Sequence, residues 1–318
     1  MLLSRRALLA SSLAVLAARP AAAAEPLMLV ATTGMIADAA ARVGGDHVAV
    51  RGLMGPGVDP HAYRQTRTDI AAMVGADLVL WHGLYLEAQM EEFMLDLARR
   101  TPVVAVAEAL PREVLRSHDT YAGRYDPHVW MNPELWAEVV LAIRDALAGA
   151  RPEATDAFAA NAEAHRAEIA RLSAYARATL ATVPETDRVL VTAHDAFGYF
   201  GAAYGFEVIG IQGISTESEA GLNRIGELVG LLVQRRIGAV FVESSVSDRN
   251  TRALIEGAAA QGHEVKIGGE LFSDAMGPPG TYEGSYLGMI DHNVTTIAAA
   301  LGGTVPPRGM DGKLSAGL

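Results

Sequence analysis

The stretch Pro152–Thr182, PEATDAFAANAEAHRAEIARLSAYARATLAT, contains no glycine and no proline beyond its first residue. Phe158, His165, Ile169, Leu172, Tyr175, Ala176 and Leu180 recur within it at helical spacing, which predicts one uninterrupted amphipathic helix. At 1.5 Å per residue that helix would be roughly 45 Å long. A single small lobe is shorter than this, so the helix is expected to run along two.

Sequence on either side of the helix repeats one rhythm, in which short β-branched apolar runs alternate with helical patterns. Before it, strands are predicted at Leu27–Thr32, Val48–Met54, Leu78–Trp81 and Val103–Val106. Helices are predicted at Ile36–Val43, Asp69–Val74, Glu87–Arg99 and Pro133–Ala148. After it, strands are predicted at Val189–Thr192, Val208–Ile211, Ala239–Val242 and Val265–Ile267. The helices there fall near Ala196–Tyr204, Ser218–Arg235, Arg249–Gln261 and Tyr286–Leu301. Alternation of this kind implies parallel sheets covered by helices. The fold class is therefore α/β, with two lobes, each a small parallel sheet flanked by helices, joined by one long rigid helix. The expected divisions are an N-terminal lobe at 25–150, the linking helix at 151–183 and a C-terminal lobe at 184–318.

Open parallel sheets bind ligands outside the carboxyl ends of their strands, and there the chain concentrates imidazoles and carboxylates. Asp-Pro-His occurs twice, as Asp59-Pro60-His61 and Asp126-Pro127-His128, and His194-Asp195 follows the first strand of the second lobe. Asp274 lies soon after that lobe's last strand. Pro60 and Pro127 restrict their own φ and push the preceding Asp toward extended geometry, so each His leaves a stiff turn. His61, His128, His194 and Asp274 are the expected ligands of one metal ion. Three neutral imidazoles and one carboxylate suit a first-row divalent ion and would leave a charge of about +1. Asp59, Asp126 and Asp195 are expected to accept hydrogen bonds around the ligands. The other six histidines, His47, His82, His118, His165, His263 and His292, are read as structural or surface residues, although His82 also follows a strand.

Residues 1–24 read as an export signal: Arg5 and Arg6 form the positive region, Ala7–Ala18 the apolar stretch, and Ala21–Ala24 the small-residue cleavage region. Ser4-Arg5-Arg6 with Leu8 and Leu9 fits a twin-arginine signal as well as an ordinary secretory one. The chain has no cysteine, hence no disulfides and no N-terminal cysteine to carry a lipid, and a periplasmic location is expected. Removing the leader with Arg5, Arg6 and Arg19 takes the formal charge from −11 to about −14, a surface that repels nucleic acid and concentrates cations. No later segment reads as a transmembrane helix.

Four ligand loops in order resemble one known family, the metal-binding receptors of bacterial zinc and manganese ABC importers (cluster 9 or cluster A-I solute-binding proteins). The first is Gly55-Pro56-Gly57-Val58-Asp59-Pro60-His61-Ala62-Tyr63 and the second Asp126-Pro127-His128-Val129-Trp130-Met131-Asn132-Pro133. The third is Val191–Phe200 with Tyr204-Gly205-Phe206, and the fourth Leu271-Phe272-Ser273-Asp274 with Gly280-Thr281-Tyr282. Ile211-Gln212-Gly213-Ile214-Ser215-Thr216 and Phe241-Val242-Glu243-Ser244-Ser245 are similar too. The resemblance covers nearly the whole mature chain. It implies a monomeric receptor that carries one Zn2+ or Mn2+ per chain as cargo and delivers it to a membrane permease powered by a separate ATPase. Manganese receptors of the family commonly have Glu at the third ligand position, where this chain has His194. Its zinc receptors often carry a long His-rich acidic loop between the first two ligands, whereas the segment Ser117–Asp126 is short, with only His118. Imidazole ligands and the Irving–Williams order favour zinc as the tighter binder.

Two other classes of protein would use such residues differently. An exported zinc hydrolase would need an open coordination position for water, and the chain has neither a His-Glu-x-x-His helix nor a Gly-x-Ser-x-Gly elbow. An adhesin-like protein would use the metal for structure alone and would fold only with it. The residue after the first strand opens Thr32-Thr33-Gly34-Met35, which is not a dinucleotide-binding loop.

Overall fold

A computed structural model describes residues 25–118 and 121–315; the predicted export signal lies outside them. The first lobe is a four-stranded parallel sheet of β1 (Leu27–Ala31), β2 (Val48–Gly52), β3 (Leu78–Trp81) and β4 (Val103–Ala105), in the order β2-β1-β3-β4. All four residues of β3 are buried, the continuous apolar pattern of a parallel strand covered on both faces. Helix α1 (Gly34–Gly44) turns Met35, Ile36, Ala39, Ala40 and Val43 inward. Helix α2 (Arg67–Val74) starts at a reciprocal capping box between Thr66 and Asp69. The predicted helix Glu87–Arg99 is split: a 3-10 turn at Ala88–Met90 precedes α3 (Glu91–Leu97), with Glu91 and Glu92 in its first turn. Helix α4 (Pro133–Ala150) opens on an Asn132 cap with Pro133 at the first position, where a missing N–H costs nothing.

The linking helix is α5 (Thr155–Leu180), 26 residues preceded by a 3-10 turn at Pro152–Ala154. Phe158, Ala162, His165, Ile169, Leu172, Ala176 and Leu180 form its buried stripe. It packs on α1 and α4 of the first lobe, and on α9 (Tyr286–Ala300) of the second.

In the second lobe β5 (Val189–Thr192) pairs with β6 (Glu207–Gly210), and β7 (Ala239–Glu243) with β8 (Lys266–Leu271), both in parallel. The two pairs lie side by side with β5 against β7. Helix α6 (Gly198–Tyr204) follows β5, α7 (Leu222–Arg235) follows β6, and α8 (Arg249–Ala260) follows β7. Strand β8 runs further than predicted, through Gly268-Gly269, and a register shift in β7 between Val240 and Phe241 accommodates it. Helix α7 starts at Leu222, four residues later than Ser218, because Gly221 takes the extended N-cap conformation.

One hydrophobic core, rather than two, threads the molecule. It runs from Leu29, Ile36 and Leu80 through Phe158, Leu172 and Leu180 to Phe241, Leu271, Tyr286 and Ile297. A smaller cluster around Leu232, Val240 and Leu254 backs the second lobe, and another around Met73, Val79 and Met94 backs the first. A core continuous through α5 makes the lobes one mechanical unit. Leu172→Ala should therefore lower stability by about 2–5 kcal/mol and leave a single cooperative transition in urea. Two separated transitions, or no loss of stability, would contradict this.

Candidate metal site

His194 and Asp274 sit just past strand ends, His61 in the loop beyond β2, and His128 directly before a 3-10 turn at Val129–Met131. Beyond β2 the chain continues its ladder, with Leu53 N donating to Ala31 O (2.9 Å) and Met54 N to Thr32 O (3.0 Å). It then turns through Gly57, whose φ of 70° is readily adopted only without a side chain. A Cβ there would come within 3.3 Å of the Ser244 carbonyl of the other lobe. In the turn that follows, Asp59 Oδ1 accepts the backbone N–H of His61 at 2.8 Å. The second motif repeats the device: Asp126 Oδ1 accepts His128 N at 3.0 Å and also lies 2.7 Å from His128 Nδ1.

His194 follows β5 by two residues. Its backbone N donates to Glu243 Oε1 (2.9 Å), and its Nδ1 lies 2.5 Å from Glu243 Oε2. Glu243 is the last residue of β7, so one carboxylate ties together the carboxyl ends of β5 and β7. Asp274 follows β8 by three residues. Its segment is held by Asn293, which exchanges two hydrogen bonds with the Phe272 backbone (2.9 and 2.7 Å). Trp130 Nε1 of the first lobe donates to Ser273 O at 2.8 Å.

The four side chains meet in one buried cluster whose candidate ligand atoms all lie within 4.8 Å of one another. His128 Nε2 is 3.3 Å from both His61 Nε2 and His194 Nε2. Asp274 Oδ1 and Oδ2 are 3.3 Å from His128 Nε2 and His194 Nε2 respectively. Tetrahedral ligands about 2.0–2.1 Å from a metal are separated by about 3.3–3.4 Å, so the spacing is that of a coordination shell. Among the described residues the Asp274 oxygens face no polar partner besides the His128 and His194 ring nitrogens. The carboxylates beside His128 and His194 accept, so each Nδ1 carries a hydrogen and each Nε2 faces inward. The cluster is suited to holding a single divalent ion such as Zn2+ or Mn2+.

Electrostatics in the metal-free protein express the same demand for positive charge. Burial drives His61 down to about 3. Burial also acts against a charge on His128, but Asp126 and Asp274 outweigh it and raise the ring to about 9. At His194 burial is likewise overcome, by Glu243 and Asp274, and the group rises well above its ordinary value. Burial would raise Asp274, yet the two imidazoles hold it well below the usual carboxylate range. A metal ion entering the site displaces protons from His128 and His194. The charge is also not what the four residues alone suggest. Asp126 and Glu243 stand behind the His128 and His194 rings, so two further carboxyl groups flank the one carboxyl group inside the cluster.

Glu243 is the residue that motif reading assigns no role. It stands 49 residues from His194, and its sequence signals are an acidic residue closing an apolar strand and its place in the family-like segment Phe241-Val242-Glu243-Ser244-Ser245. His82 lies outside the four-residue cluster: its Nε2 is 2.7 Å from Pro127 O, and its ring meets Trp130 edge-on at 5.0 Å. It therefore braces the peptide that carries His128. Burial lowers His82 to about 3, so the neutral ring donates to that carbonyl. His47, His118, His165, His263 and His292 are also outside the cluster.

Two α/β lobes on one rigid helix, enclosing a buried His3Asp cluster, define a metal receptor of the ABC-importer type rather than an enzyme. A family model described as "Zinc-uptake complex component A periplasmic" matches residues 29–300, and the chain belongs to that family of periplasmic metal-binding receptors. It is 48% identical over 280 residues to the manganese-binding lipoprotein MntA of Bacillus subtilis, covering 87% of this chain and 90% of the relative. It is 46% identical over 283 residues to the zinc-binding protein TroA of Treponema pallidum, covering 89% and 91%. The solved structure of the Treponema protein superposes with a TM-score of 0.85 over 87% of this chain and 99% of that one. Family membership pairs the receptor with an ABC permease and ATPase. Replacing Glu243 by Gln removes the charge that orients His194, and metal affinity should fall about 10–100-fold in a chelator competition. Unchanged affinity would separate Glu243 from the site.

Proposed function

We infer that the protein captures one Zn2+ or Mn2+ in the periplasm through His61, His128, His194 and Asp274, and hands it as a monomer to the permease, the ATPase acting indirectly. The observation that carries this reading is the 3.3 Å spacing of inward-facing ligand atoms. We take residues 25–150 and 184–318 as the two lobes, with 151–183 between them. Each lobe then supplies two ligands, and release needs only small adjustments at the lobe interface, because the continuous core opposes wide opening.

Zinc is the tighter-binding ion in this reading. Three imidazoles suit it, and the Irving–Williams order places it above manganese. The similar proteins named for manganese and for zinc are nearly equally identical to this chain, so overall identity does not assign the cargo and the ligand set must. The test is competitive titration of the chelator-stripped protein with zinc and manganese, alongside His61→Ala and His194→Ala. Zinc should displace manganese at a stoichiometry of one, and either variant should lose affinity by orders of magnitude with its helical content intact. Manganese retained against equal zinc would assign the cargo to manganese. Unaltered binding in a variant would remove that residue from the site.

A further inference from the structure

Among the three histidines of the site, His61 is held differently. Asp126 and Glu243 each receive both the backbone N–H and the ring Nδ1 of their histidine. Asp59 receives the backbone N–H of His61, and its other oxygen reaches across to the second lobe. Thr216 Oγ1 donates to Asp59 Oδ2 at 2.6 Å. Asp59 is thus a two-sided clamp, with the His61 turn on one oxygen and the second lobe on the other.

Thr216 belongs to a segment, residues 213–221, that is neither helix nor strand and is bounded by Gly213 and Gly221. A neighbouring contact follows the same line, from Gln89 Nε2 of the first lobe to Glu217 Oε1. On its other side the segment, through Gly213, Ser215, Ser218 and Glu219, lines a cavity of about 620 Å3 against β6 and α7. Three other polar ties between the lobes near the site lie in packed surroundings: Trp130 Nε1 to Ser273 O, Tyr286 OH to Trp130 O and Tyr199 OH to Asp126 O are all buried. The Thr216 bond joins a ligand-bearing turn to a strap with space beside it.

We propose that Thr216 is a positioning residue for metal retention: its hydroxyl, acting through Asp59, holds the His61 turn in the geometry that completes the site, and loss of this contact is the step that frees the ion. The inference rests on His61 being a ligand. A hydroxyl bonded to a carboxylate is a charge-assisted hydrogen bond. It also joins the two lobes directly over one ligand, so its effect falls on the lifetime of the bound ion more than on its capture. An ion arriving at the cluster still meets His128, His194 and Asp274 in place, because their supports do not pass through Thr216. This would make His61 the last ligand to engage and the first to leave.

The test uses zinc alone and the full mature chain, with dissociation followed by stopped flow against excess chelator. Thr216→Val should bind one zinc ion per chain and release it about tenfold faster or more, with association nearly unchanged. Thr216→Ser should restore the wild-type dissociation rate. On an Asp59→Ala background, Thr216→Val should add nothing further. Wild-type dissociation in Thr216→Val, equal acceleration in Thr216→Ser, or additivity with Asp59→Ala would each overturn the proposal while leaving the four-ligand reading intact. Full zinc affinity in a parallel His61→Ala sample would instead remove the reading on which the proposal rests.

Discussion

Four electron-pair donors converge at about van der Waals separation in a place closed to water, and the rest of the structure exists to keep them there. Left to themselves, three imidazole nitrogens and a carboxylate at 3.3 Å would rotate apart or take up protons. The protein prevents the first by bracing the His128 and His194 rings from behind and by fixing the backbones that carry His61 and Asp274. It permits the second, since His128 and His194 hold protons in the metal-free state. Protons and a divalent ion are alternative answers to one electrostatic demand. A structural metal site, required for folding, would lack that alternative.

Bracing works because the supports come from regular structure and not from the ligand loops alone. Glu243 terminates β7 and reaches His194 beyond β5. His82 follows β3 and holds the Pro127 carbonyl. Asn293 lies in α9 and fixes the Phe272 backbone two residues before Asp274. The lobes that carry these supports share the core that continues through α5. This differs from receptors that close around a sugar or amino acid on a flexible hinge, and a small cargo needs no more: sub-ångström changes in donor position decide whether a coordination shell is complete.

Much of this was legible in the sequence, and the exceptions have physical reasons. Strands Leu78–Trp81 and Val189–Thr192 fall where their apolar runs place them, because both are buried stretches with polar or glycine neighbours. The linking helix was readable from the absence of breakers, although its ends frayed into a 3-10 turn at Pro152 and a tighter last turn after Leu180. The two Asp-Pro-His turns declared their histidines, since a proline-stiffened turn with its own acceptor is a local feature. Glu243 was not assigned a role, because its partner is set by the lateral packing of β5 and β7, which no local pattern encodes. The strap at residues 213–221 was partly absorbed into a predicted helix, as Ser218–Ala220 carry no breaker and only Gly221 marks the true start.

The central claim is that these four side chains form one coordination shell of nitrogen and oxygen donors. The X-ray absorption spectrum of the zinc-loaded protein reads that shell directly. The account predicts about four light-atom ligands near 2.0–2.1 Å with the multiple-scattering signature of about three imidazoles. A six-oxygen, water-dominated shell without imidazole scattering would contradict it and place the ion elsewhere.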